Sequence, residues 1–224
     1  MKEQGTIGVM IVEDHSVVLW GLKKLIDGET PSMSVVASAG NRWGALAAAR
    51  QARPDVVLLD LTLGDESGLD FLPQLREAAG GGRVLVLTAL RDTETHRAAL
   101  RRGASGVVCK DAPADVVLKA IRKVHEGEVW FDREAAFDVL RDLMGGGDDP
   151  RGEGAATLVA SLTPKEREII SIIASEDNST NKQVAMRLRI SENTLRNHLS
   201  SIYDKLGIGN RLELLKFAIS HSLA

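Results

Sequence analysis

Pro54-Asp55-Val56-Val57-Leu58-Leu59-Asp60-Leu61 sets four consecutive apolar residues between two acids. A run with no polar alternation has no water-facing side, so it describes a strand covered on both faces, as parallel sheets are. Val84-Leu85-Val86-Leu87-Thr88 repeats the pattern. Together with 56–60 and 84–88, shorter runs mark strands at 8–12, 33–39 and 106–109. The stretches between them predict helices at 16–26, 42–50, 69–79, 92–102 and 113–126. Parallel neighbours need a crossover connection, so five strands interleaved with five helices imply one parallel sheet with helices on both faces.

That layout is an α/β, doubly wound, five-stranded fold of the flavodoxin-like kind, whose ligand crevice lies along the carboxyl ends of the strands. The rest of the chain reads differently. A helix at 133–144 leads into Gly145-Gly146-Gly147-Asp148-Asp149-Pro150-Arg151-Gly152-Glu153-Gly154, where five glycines and a proline describe a flexible linker. Beyond it the strand pattern stops, and four helices remain at 164–174, 181–188, 192–206 and 211–221. Thr163, Pro164 and Glu166 have the spacing of a helix-starting capping box, and Ser191 stands as the cap of the third helix. The expected division is 1–128 for the α/β domain, 129–160 for helix and linker, and 161–224 for a small all-α domain.

Composition narrows the class. With 44% hydrophobic and 26% charged residues in 224, the chain is globular, which excludes disorder, collagen-like and coiled-coil structure. No apolar stretch approaches the roughly 18 residues of a membrane span. The lone Cys109 forms no internal disulfide, so a cytoplasmic setting is expected. Residues 161–224 carry nine Lys or Arg against seven Asp or Glu, net +2, leaving −5 for the rest. An acidic front and a mildly basic back suggest different partners.

Glu13 and Asp14 follow the first strand, and Asp60 ends the third. Where strand order reverses in such a sheet these two strands are neighbours, so the three carboxylates converge. Two unit charges about 4 Å apart repel by roughly 4 kcal/mol at an effective dielectric near 20. Three together call for a cation, and an all-oxygen set suits Mg²⁺ better than zinc. Thr88 and Lys110 end the fourth and fifth strands, adding a hydroxyl and an ammonium. A carboxylate nucleophile, a metal, an amine and a hydroxyl are the parts of an aspartyl-phosphate site, with Asp60 as acceptor.

The stretches Ile11-Val12-Glu13-Asp14-His15, 54–61, Leu85-Val86-Leu87-Thr88-Ala89 and Gly103-Ala104-Ser105-Gly106-Val107-Val108-Cys109-Lys110, with Gly68 eight positions after Asp60, resemble the receiver domains of two-component response regulators. The resemblance implies that Asp60 is the phosphoacceptor and that Glu13, Asp14, Asp60 and the backbone carbonyl of Thr62 hold Mg²⁺. It also implies that Thr88 and Lys110 grip the phosphoryl oxygens, that the small Ala89 leaves room for them, and that the donor is a sensor histidine kinase. Two departures stand out. Gly64 occupies a position where the family commonly has proline, which predicts a more mobile loop around Thr62. Val107 replaces the usual aromatic residue, so the relay from Thr88 has to run through other packing.

In the back, Val184, Ala185 and Leu188 give one helix an inward face, and Leu195, Leu199, Ile202 and Leu206 do so for the next. That pair has helix-turn-helix spacing, with Arg and Asn outward where base edges can be read. Leu162-Thr163-Pro164-Lys165-Glu166-Arg167-Glu168, Asn181-Lys182-Gln183-Val184-Ala185, 190–199 and Lys205-Leu206-Gly207-Ile208 resemble the LuxR-type DNA-binding domain. Receiver and helix-turn-helix together resemble the NarL/FixJ class of response regulator. The resemblance implies base contacts from Arg196, Asn197 and Ser200 and phosphate contacts from Lys182, Ser191, Thr194 and Lys205. It assigns Leu214, Leu215, Ala218 and Ile219 to domain packing and DNA-bound dimerisation. The expected function is a phosphorylation-controlled transcriptional regulator of promoter DNA, a homodimer when phosphorylated or DNA-bound, and not an enzyme beyond slow autodephosphorylation. The alternatives are a phosphorylation-independent regulator whose receiver only dimerises, and a Mg²⁺-dependent phosphatase. The second lacks an acid at position 62.

Overall fold

The computed structural model describes residues 5–90, 92–131, 155–175, 179–221 and 223. The helix expected at 133–144 and the glycine-rich 145–154 lie outside them. The front contains β1 (Ile7–Val12), α1 (Ser16–Asp27), β2 (Met33–Ala39), α2 (Arg42–Ala52), β3 (Val56–Asp60), β4 (Thr62–Leu63), β5 (Glu66–Ser67), α3 (Gly68–Ala78), β6 (Arg83–Thr88), α4 (Thr93–Arg101), β7 (Gly106–Cys109) and α5 (Ala114–His125). The main sheet is parallel, in the order β2-β1-β3-β6-β7, so the reversal falls between β1 and β3 as expected.

Alternation along β3 sorts its side chains into two cores. Val57 and Leu59 join Met10, Leu46, Phe71, Leu75 and Val86 beneath α2 and α3. Val56 and Leu58 join Ile11, Ile26, Leu85, Val117 and Ile121 beneath α1 and α5. All five residues of β3 are buried, which is why its sequence shows no polar period. Two features went unread in the sequence. The hairpin β4–β5 follows Asp60, and Trp130 bridges to Gly106, its carbonyl accepting the Val107 N–H at 2.8 Å.

The back is all helical: α6 (Ala155–Ser161), α7 (Pro164–Ser175), α8 (Asn181–Arg187), α9 (Glu192–Leu206) and α10 (Arg211–Ser220). Helix α6 occupies sequence assigned to the linker. Leu158 and Val159 pack against the core of the unit, so its folded part begins before residue 161. The Thr163–Glu166 box forms reciprocally, at 2.8 and 3.2 Å. Gln183 completes a second box with Thr180. Leu214, Leu215 and Ala218 of α10 are core residues, and only Ile219 of the four is exposed, so packing absorbs most of the face assigned to dimerisation.

The two units meet at the edge where the main-sheet strands begin. Asn210 Nδ2 donates to the Ala104 carbonyl at 3.0 Å, Arg76 pairs with Glu213 at 3.7 Å, and Leu212 packs on Leu100. Asn181 donates to the Glu126 carbonyl.

Glu166 has a second role. Burial raises the pKa of its carboxyl, but Lys205 at 2.7 Å, Thr163 and Ser201 outweigh that and hold it at about 2. A carboxyl depressed on folding stabilises the folded state above its ordinary pKa and loses that contribution as pH falls through the lowered one. The helical unit of the full chain is therefore expected to lose thermal stability between about pH 4.5 and 2, and Glu166→Gln to flatten that part of a circular-dichroism pH–melting profile.

Candidate functional site

The carboxyl ends of β1, β3, β6 and β7 form one basin. Lys110 Nζ lies 2.7 Å from Asp60 Oδ2 and 2.7 Å from Glu13 Oε2, with both carboxylates almost wholly buried. Burial lowers the Lys110 pKa, but its two carboxylate partners more than compensate and raise it, so the ammonium is permanent at neutral pH. Glu13, Asp14, His15 and Asp60 offer ligand atoms all within 4.8 Å of one another. Three carboxylates with one bridging ammonium leave a surplus of negative charge, and their oxygen donors fit a hard divalent cation such as Mg²⁺.

Each carboxylate is aimed by backbone. The Thr62 N–H donates to Asp60 Oδ1 at 3.2 Å, and the His15 N–H to Glu13 Oε1 at 3.0 Å. The Gly64 N–H donates to Asp14 Oδ2 at 2.8 Å. Slight burial opposes ionisation of Asp14, but that N–H and the His15 ring, 2.9 Å away, hold its carboxyl below the ordinary range. Proline has no N–H, so Gly64 in place of proline ties the loop to the acid pair instead of freeing it. With φ +58°, Gly64 also makes the turn between β4 and β5 in a conformation that glycine adopts without strain. His15 was not selected from the sequence, and Gly64 was read there only as loosening the loop. The adjacency Glu13-Asp14-His15 was the available signal for His15.

Thr88 is fully buried, and its Oγ1 accepts the Leu90 N–H at 3.1 Å. The Leu90 carbonyl in turn lies 3.0 Å from Nε2 of the buried His96 on α4. Thr88 is thus linked to α4 through backbone, while Val107 sits in the core. Ala89 is exposed at the rim.

On the helical unit, α9 begins at the Ser191 cap, whose Oγ accepts the Thr194 N–H at 3.0 Å. Lys182, Ser191, Thr194 and Asn197 are exposed. Arg196 turns to the front unit, its Nη1 3.2 Å from His125 Nε2. Asn197 and Ser200 line the same cleft with Arg53 and Gly82. The three residues expected to read bases therefore lie against the α/β unit. Lys205 is committed to Glu166, which weakens its assignment to a phosphate contact.

Comparison with known proteins agrees with this geometry. Residues 9–122 match the response regulator receiver domain, and residues 160–218 match the bacterial regulatory proteins of the luxR family. The DNA-binding transcriptional activator DevR/DosR of Mycobacterium tuberculosis is 33% identical over 95% of this chain and 94% of its own. The nitrate/nitrite response regulator protein NarL of Escherichia coli K12 is 33% identical over 95% of each. The crystal structure of a LuxR-family two-component response regulator from Aurantimonas is 29% identical, with a TM-score of 0.55 over 62% of this chain and 99% of that one.

The basin also depends on Gly68, where a Cβ would stand 2.5 Å from the Asp60 carbonyl oxygen and 3.0 Å from the Leu61 Cα. Backbone on both sides leaves no soft neighbour to yield. Gly68→Ala is expected to lower the melting temperature and to weaken Mg²⁺ binding at least tenfold, read by titration of tryptophan fluorescence or by calorimetry.

Proposed function

Because the chain belongs to the response regulators, joining a receiver domain to a LuxR-type DNA-binding domain, we propose that Asp60 takes a phosphoryl group and that the helical unit then engages promoter DNA through α9. It is a phosphorylation-controlled, DNA-binding regulator of transcription. The carrying observation is the Lys110 ammonium 2.7 Å from both Asp60 and Glu13 at the carboxyl edge of the sheet. The receiver is assigned to 1–128 and the connecting segment to 129–160, with α6 serving the DNA-binding unit of 161–224. Acting on chromosomal DNA places the protein in the cytoplasm.

Phosphoryl transfer is mostly positioning and charge neutralisation. The Asp60 carboxylate forms the new O–P bond as the P–N bond of a phosphohistidine on a sensor kinase breaks, its electron pair leaving with the imidazole. Glu13, Asp14, Asp60 and the Thr62 carbonyl are the residues that would hold Mg²⁺, which supplies charge neutralisation for the transferring group. Lys110 then grips a phosphoryl oxygen, and the Thr88 hydroxyl, which accepts the Leu90 N–H, turns to donate its proton to another. The new group adds about −1.5 to −2 charges at one edge of the sheet. Release of α9 from the other edge lets two copies pair on half-sites about one helical turn apart. Asp60 acyl phosphate is lost only by slow hydrolysis.

Two outcomes test the ends separately. With acetyl phosphate and Mg²⁺, the wild-type chain is expected to gain an acid-labile phosphoryl group by intact-mass measurement, and Asp60→Asn to gain none. On DNA, Arg196→Ala is expected to cost about 1–3 kcal/mol and relax base preference. Lys182→Ala should weaken all sequences alike and reduce the salt slope by about one. Binding titrations at several salt concentrations distinguish the two.

A further inference from the structure

Nδ1 of His15 stands 2.9 Å from Asp14 Oδ1 and 3.1 Å from Glu13 Oε1. His15 holds the N-cap position of α1, where a polar side chain ordinarily accepts a helix N–H, but its ring makes no such bond and turns to the acid pair. With the ring neutral and its proton on Nε2, Nδ1 is a bare acceptor facing two carboxylate oxygens. Three acceptors this close are stable only around a proton or around a metal ion. Lys110 does not fill that role, because its Nζ contacts Glu13 Oε2 and Asp60 Oδ2, the oxygens turned away from the ring. The Gly64 N–H is taken by Asp14 Oδ2, and the His15 N–H occupies one lone pair of Glu13 Oε1. Spacing favours the ion. Adjacent ligands of an octahedral ion with bonds of about 2.1 Å stand about 3.0 Å apart, which matches both contacts of the ring nitrogen.

We propose that His15 Nδ1 is itself a metal ligand, and that it makes this basin select a divalent transition-metal ion over Mg²⁺. Carboxylate oxygens alone suit Mg²⁺, whereas an imidazole nitrogen suits the borderline metals, whose affinity for such a site rises from Mn²⁺ to Ni²⁺. With Asp60 included, the four ligand atoms lie within 4.8 Å of one another. Small side-chain rotations bring that span to the roughly 4.2 Å between opposite ligands of an octahedral ion. The imidazole is 65% exposed, so an ion reaches Nδ1 without disturbing the core, while the buried Glu13 and Asp60 fix the inner side of the site. The inference rests on the reading of the basin as a cation site given above and adds to it a fourth protein side chain.

The experiment is calorimetric titration of the full chain with nickel chloride and with magnesium chloride, after removal of bound metal, at about pH 8, where imidazole is neutral. His15→Gln and His15→Ala should each weaken Ni²⁺ at least tenfold and Mg²⁺ by less than about threefold, because each removes a nitrogen donor and leaves the oxygens in place. Asp14→Asn should weaken both ions, which assigns the nickel to the basin and not to another histidine. Pulsed electron paramagnetic resonance of the Mn²⁺-loaded chain should show the coupling of one directly bound nitrogen, absent in His15→Gln. A histidine that only props up the acid pair through hydrogen bonds would give no such coupling. Nickel affinity unaltered in both His15 variants, a loss for Mg²⁺ as large as that for Ni²⁺, nickel affinity unaltered in Asp14→Asn, or Mn²⁺ spectra without the nitrogen coupling would overturn the proposal. Failure of the wild-type chain to bind either ion would overturn it together with the metal role of the basin, whereas nickel bound without His15 overturns this inference alone.

Discussion

One ammonium among carboxylates organises the receiver end of this chain. Lys110 reaches Asp60 and Glu13 only because β7, β3 and β1 end at the same edge of one parallel sheet. Buried carboxylates without a cation would repel one another, so Glu13 and Asp60 depend on the lysine between them, and with the more exposed Asp14 they form a donor set that fits a divalent cation. The supporting loops serve this requirement. Gly64 turns its N–H onto Asp14, and Gly68 lets α3 start against the Asp60 carbonyl.

The strands that carry this chemistry also touch the helical unit at their other ends. β3 starts next to Asp55 at the interdomain cleft and ends at Asp60, and β6 runs from Arg83 to Thr88. β7 follows Ser105, whose hydroxyl reaches the Gly209 carbonyl at 3.5 Å, and leads to Lys110. Strands of this length span about 17–20 Å. A close-packed sheet does not deform continuously, so charge added at one edge biases discrete arrangements of the loops and of α4. With Val107 in the aromatic position, hydrogen bonds still connect Thr88 through the Leu90 backbone to His96 on α4.

Much of this was legible in the sequence, for local reasons. The run Val56–Leu59 announces its own burial, and every strand of the main sheet was located to within one residue of its observed start. Convergence of Glu13, Asp14 and Asp60 followed from the rule of strand reversal. Elements too short for periodicity escaped, such as β4 and β5, and α6 was hidden beside a glycine-rich segment. Contacts between distant parts of the chain have no local signature. Nothing in the sequence around Arg196 announces His125, and Glu166, read as half of a capping box, also holds Lys205.

The coupling of the two edges is the central physical claim, and amide hydrogen exchange along α9 measures it most directly. With acetyl phosphate and Mg²⁺, exchange in residues 192–206 should quicken in the wild-type chain and stay unchanged in Asp60→Asn. Exchange that does not respond to the phosphoryl donor, or that responds equally in Asp60→Asn, would contradict it.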